Sequence, residues 1–166
     1  RLLIERISGM DYTSYVKAHV LIPMDIRDPQ THSELTQRTF VYGDVGVRIS
    51  GDDGSVDCAA TAGPGSWYGS AVDLGKFLEG IRTYKVLSRA TTQMMLEQKI
   101  GWDTDHPWTK GGLGVRSDGR RLHTAIAYFP DGVEAAILVN CQHPEPPSTQ
   151  WLLVRSWKDS HSIWEI

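Results

Sequence analysis

Residues 108–114, Trp108-Thr109-Lys110-Gly111-Gly112-Leu113-Gly114, decide how this chain folds. Two apolar runs follow, 122–128 and 133–139, joined by Phe129-Pro130-Asp131-Gly132. Proline presets φ and glycine accepts positive φ, so the joint is a hairpin turn and the whole stretch predicts antiparallel strands. Ala135-Ala136-Ile137-Leu138-Val139 lacks polar alternation, which predicts a central strand covered on both faces. A lysine followed at once by two glycines, on the expected edge strand, suits a site that holds an anion and brings backbone N–H groups close to it. Basic-Gly-Gly sequences are also common turns, so the surroundings must carry the reading.

Upstream, residues 1–8 read as the last turns of an amphipathic helix stopped by Gly9. Asp11 is a fair N-cap for a helix over about 12–20, halted by Pro23. Residues 24–37 read as a polar surface connection, and 38–42 and 45–49 as strands. Gly51-Asp52-Asp53-Gly54 is a turn without the spaced oxygen ligands of a calcium loop. A small-residue loop over 59–69 leads to Ser70-Ala71-Val72-Asp73, a capping-box pattern that opens a helix carrying Val72, Phe77, Leu78 and Ile81. A second helix starts near Ser88 and offers Met94, Met95 and Leu96 to the core. Gly101-Trp102 reads as a short strand piece before the solvated loop 103–107. Residues 143–147 break the structure, and Ser148 caps a last helix with Trp151, Leu152, Val154 and Trp157 available for packing. The order of elements predicts an α+β fold, an antiparallel sheet flanked by helices.

Composition narrows the functions. At 166 residues the chain can bury a sizeable core, and a net charge of −3 gives no electrostatic reason to expect nucleic acid as partner. No apolar run approaches the ~20 residues of a membrane-spanning segment. Asp103, Asp105 and His106 lack a further histidine at ligand spacing, so no metal and no cofactor is expected. Cys58 and Cys141 form neither a metal spacing nor a redox pair; a disulfide and two free thiols both stay open. The chain starts inside a helix, with no initiator methionine and no signal peptide, which leads us to expect a preceding segment or a companion chain.

At this point several pieces fall into a known order. Ile7-Ser8-Gly9-Met10 with Tyr12, Tyr15-Val16 and Pro23-Met24, then Ala62-Gly63 through Trp67, Ser70-Ala71-Val72-Asp73-Leu74 and Phe77-Leu78, come first. Val86-Leu87-Ser88, Met94-Met95, Ile100-Gly101-Trp102, Lys110-Gly111-Gly112, Tyr128 to Gly132 and Leu138-Val139-Asn140 follow. In this order and spacing the chain resembles the serine β-lactamase and penicillin-binding-protein superfamily, in its class C-like, esterase-like branch. The resemblance runs from Leu2 to Asn140 and implies the C-terminal part of a three-layer sandwich.

The resemblance further implies a serine hydrolase that forms an acyl-enzyme on an ester or amide substrate, with members often exported. Lys110 would supply positive charge, the Leu113 N–H would be the second oxyanion donor, and Gly111 and Gly112 would let the strand approach the acyl group. Trp67 and Tyr68 would line the cleft. The family's third motif carries Thr or Ser where Gly111 stands, and losing that hydroxyl leans away from β-lactams and peptidoglycan. The family's Ser-x-x-Lys and Tyr motifs lie upstream of the segment that Leu2 begins, so the expected partner is the N-terminal part of the same domain. Of the six lysines only Lys17 has a serine three residues before it, Ser14, at helical spacing but on a surface helix. A non-catalytic relative, using the same fold for binding or scaffolding, is the alternative.

Overall fold

A computed structural model of the chain describes residues 1–27, 30–31, 40–42, 48–50, 67–115, 121–139 and 148–162. In chain order the elements are α1 (Leu2–Ser8), α2 (Tyr12–Val16) with a π-helical turn (Lys17–Leu21), β1 (Gln30–Thr31), β2 (Phe40–Tyr42), β3 (Arg48–Ser50) and β4 (Trp67–Tyr68). Then come α3 (Ala71–Arg82), α4 (Arg89–Glu97), β5 (Trp108–Val115), β6 (Arg121–Tyr128), β7 (Glu134–Val139) and α5 (Thr149–Ser162). The fold is α+β. The acidic turn 51–54, the small-residue loop up to residue 66, Cys58, Cys141 and the proline-rich break 143–147 lie outside the described residues. The chain divides into two compact units, residues 1–38 with 52–89, and residues 39–51 with 90–166.

In the first unit, local chemistry sets the helix ends. Gly9 stops α1 at φ 70, where its N–H reaches the Glu5 carbonyl. Asp11 caps α2 by accepting from the Ser14 N–H at 3.0 Å. The expected helix over 12–20 ends in a π-helical turn, with the Ile22 N–H bonded to the Lys17 carbonyl before Pro23. The capping box of α3 is present: Asp73 N–H donates to Ser70 Oγ at 3.1 Å, and Ser70 N–H to Asp73 Oδ2 at 2.8 Å.

Two expectations for this unit are corrected. Residues 24–37 are not simply a surface connection, because Met24 and Ile26 are buried and β1 pairs antiparallel with β4. Trp67 and Tyr68 accordingly belong to a strand rather than to the loop 59–69. Met24 is buried because Gly80 of α3 leaves room for it. A Cβ at position 80 would stand 2.4 Å from Met24 Cγ and 3.1 Å from Met24 Cβ. Helix propensity favours any ordinary residue over glycine by up to ~1 kcal/mol. Overpacking costs about 1–3 kcal/mol and wins here, since the Met24 Cβ cannot swing away. Gly80→Val is therefore expected to lower the melting temperature. An unchanged or raised value in a thermal melt would contradict this packing.

In the second unit, β2 and β3 form an antiparallel pair, and β5, β6 and β7 form an antiparallel sheet in that order. The apolar run of β7 is therefore not central among the described residues. β6 holds the middle, with Ala125 and Ala127 buried, while β7 is half-buried and Leu138 exposed. An uninterrupted apolar run reports that both faces are partly covered, and carries no information on which strands stand beside it. Gly101-Trp102 is not strand, since Gly101 sits at φ 83 in a turn. Met94 points outward, and the buried residue of α4 is Thr92.

The last helix, α5, lies against all three strands. Its start is fixed by Ser148, whose Oγ accepts from the Trp151 N–H at 3.2 Å. It packs with Thr149 and Trp157, whereas Trp151 and Leu152 face outward, contrary to expectation. Thr109 of β5, directly across from Ala127, and Phe129, just past the end of β6, complete this core.

Candidate functional site

The site is built on β5, an edge strand among the described residues. Its register is pinned at one end by Trp108, which pairs with Tyr128, stacks on that ring at 5.5 Å, and donates from Nε1 to the Leu96 carbonyl at 3.1 Å. Thr109 is 1% exposed. Its N–H goes to Thr104 Oγ1 at 3.2 Å and its carbonyl accepts from the Asp103 N–H at 2.8 Å, so both groups turn away from β6. The Gly111 N–H also turns outward, to Asp103 Oδ2 at 2.9 Å. Strand backbone groups alternate in direction, which brings the Leu113 N–H to the same edge. The Leu113 side chain is 60% exposed there.

Asp103 is the centre of this edge. Its Oδ1 accepts from Lys110 Nζ at 2.6 Å, and its Oδ2 accepts from the Gly111 N–H and from Gln150 Nε2, both at 2.9 Å. These contacts hold the Asp103 carboxyl below its ordinary range, the Lys110 hydrogen bond first and the Gly111 N–H next, against the opposing effect of partial burial. A depressed carboxyl contributes its stability at pH above its ordinary value and loses it as pH falls through the depressed one. The Asp103–Lys110 tie is thus intact at neutral pH.

The two glycines have a packing reason as well. A Cβ on Gly111 would stand 2.7 Å from Gln150 Cδ, and a Cβ on Gly112 would stand 2.5 Å from Thr124 Oγ1. Gly111 lies across from Ala125. This pair of small residues opens the space into which α5 lowers the Gln150 carboxamide, which also lies 3.3 Å from Thr109 Oγ1. A hydroxyl-bearing side chain at position 111 would require that carboxamide to move from where it meets Asp103.

Asp103 and Gln150 were not singled out by the motif reading. Asp103 lies in a loop whose sequence reads as a solvated turn, and Gln150 is 47 residues further along the chain. A glycine where the family motif has Thr or Ser was the available signal that another side chain fills the space. The two aspartates and the histidine of loop 103–107 take different partners: Asp103 as above, Asp105 with Lys99 at 3.5 Å, and His106 against the Trp108 ring at 4.8 Å. Ser14 lies in the first unit, where both its N–H and its hydroxyl bond to Asp11 and so serve the helix cap. Trp67 and Tyr68 are also in the first unit, on β4, paired with Thr31 and Gln30. Trp67 is half-buried and Tyr68 exposed.

A family model described as Beta-lactamase matches residues 1–155. The chain belongs to the beta-lactamase family. The match takes in both units, the whole β5–β7 sheet and Gln150 of α5. Membership gives this beta-lactamase-family chain a serine-hydrolase-like class of function. No curated protein and no solved structure matches it. Among the described residues no helix is long and apolar enough to cross a membrane.

Proposed function

We propose that residues 1–166 are the C-terminal part of a serine hydrolase that works through an acyl-enzyme on an ester or amide substrate. Lys110 supplies positive charge beside the substrate, and the Leu113 N–H is the second donor to the tetrahedral oxyanion. Gly111 and Gly112 line the acyl group. A serine of a Ser-x-x-Lys motif and a tyrosine come from the N-terminal part of the same domain, in the same or a companion chain. The observation that carries this reading is the edge position of β5 among the described residues, with Lys110 beside the outward-turned Gly111 N–H, in a chain of this family. The apolar face of α1, where Leu2, Leu3 and Ile7 are exposed, supports a further layer of the domain packed upon it.

The pairing of Lys110 with Asp103 favours a second reading, a non-catalytic relative in which the lysine is structural. Turnover separates the two. The complete protein is expected to hydrolyse p-nitrophenyl acetate, and the 166-residue chain alone is expected not to, because oxyanion donors without a nucleophile leave only residual acceleration. Lack of turnover by the complete protein would favour the non-catalytic relative. Turnover by the isolated chain that disappears on Ser14→Ala would overturn the assignment of the nucleophile to another segment.

A further inference from the structure

We propose that Asp103 is a built-in carboxylate filling the anion-recognition position of the β5 edge, so that the site selects substrates uncharged at the group beside Lys110. This rests on the serine-hydrolase reading of that edge and deepens it. An ammonium, a backbone N–H and a carboxamide NH₂ converging on one point form a carboxylate-binding arrangement. Here the three are Lys110 Nζ at 2.6 Å, the Gly111 N–H at 2.9 Å and Gln150 Nε2 at 2.9 Å, and all three converge on the chain's own Asp103.

The carboxylate is held in place from both ends. The Asp103 N–H is bonded to the Thr109 carbonyl, so the backbone that bears the carboxylate is clipped to the strand it serves. On the other side the Gln150 carboxamide is lodged over Gly111, and a Cβ at position 111 would stand 2.7 Å from Gln150 Cδ and require that carboxamide to shift. An intramolecular ligand positioned in this way competes at a high effective concentration with any free carboxylate. A substrate carboxylate arriving at Lys110 would have to displace Asp103 and would then lie beside an uncompensated negative charge. A neutral carbonyl or alkyl group meets no such repulsion. Gln150 acts through Asp103 and is a positioning residue.

The test uses the complete protein and benzoate as the carboxylate probe, titrated at fixed ionic strength. Asp103→Asn and Asp103→Ala are each expected to bind benzoate up to about fivefold more tightly than wild type, the effect of releasing one half-exposed charge pair. The gain should vanish when Lys110→Met is added to Asp103→Asn. In parallel, the kcat/KM ratio for 4-nitrophenyl hemisuccinate over p-nitrophenyl acetate should rise up to about fivefold in either single variant. Benzoate affinity and substrate ratio both unchanged, in a variant with the wild-type circular dichroism spectrum, would overturn the proposal. Two variants are made so that one that folds decides it. Absence of p-nitrophenyl acetate turnover by wild type would overturn the hydrolase reading alone, because the benzoate titration still reports whether Asp103 excludes an anion.

Discussion

Replacing Lys110 with alanine in the complete protein is expected to lower kcat/KM by roughly tenfold to a thousandfold, equivalent to about 1.4–4 kcal/mol of transition-state stabilisation. On the proposed reading the charge acts from the strand edge that carries the Leu113 N–H, so its loss should fall on the step in which negative charge develops. The variant also leaves Asp103 without its cation, held only by the Gly111 N–H and Gln150. An anionic substrate should therefore suffer most. Stability should change little, because the Lys110 and Asp103 side chains are 50% and 38% exposed and such a pair is worth at most about 1 kcal/mol. Steady-state kinetics and a melting curve on the same variant check both halves. Unchanged kinetics would reduce residues 110–113 to a structural strand.

Phe129→Ala is expected to have the largest effect on stability, a loss of about 3–5 kcal/mol. Phe129 is 1% exposed and stacks on Trp157 of α5, with ring centroids 4.9 Å apart. Its N–H and carbonyl close the hairpin turn, bonding to the Val133 carbonyl and the Gly132 N–H. Trp157 in turn donates from Nε1 to Asp131 Oδ2 at 3.0 Å, so the ring pair and the turn hold the helix together. For a protein of this size the melting temperature should fall by roughly 6–20 °C. Since α5 also carries Gln150, the variant should lose activity in proportion to the loosened helix. A melt within a degree or two of wild type would show that α5 is anchored elsewhere.

The parts of the fold readable in the sequence are those set by residues close in the chain. The Gly9 stop, the Asp11 cap, the Ser70–Asp73 capping box and the Phe129–Gly132 turn each depend on groups within a few residues, and each stands where its pattern placed it. Which face turns inward and which strands become neighbours depend on residues far apart in the chain. Met94, Trp151 and Leu152 are apolar yet point outward, and Met24 and Ile26, in a polar stretch, are buried. The β7 run predicts a central strand, and among the described residues only β6 stands beside it, because apolarity does not encode strand order.

The candidate site was legible as a strand carrying Lys110, but not as a network. Lys110 and Asp103 are seven residues apart and joined through a turn, and Gln150 arrives from a separate helix. No local pattern links them. The local trace is a glycine at position 111 in place of a hydroxyl residue, and the Gln150 carboxamide lies in the space a side chain there would enter.

Covalent labelling tests the central claim most directly. The complete protein is treated with a serine-reactive fluorophosphonate, digested, and mapped by mass spectrometry. A single adduct is predicted on the serine of a Ser-x-x-Lys motif outside residues 1–166, formed more slowly in Lys110→Ala. An adduct on Ser14, or no adduct on a folded complete protein, would contradict it.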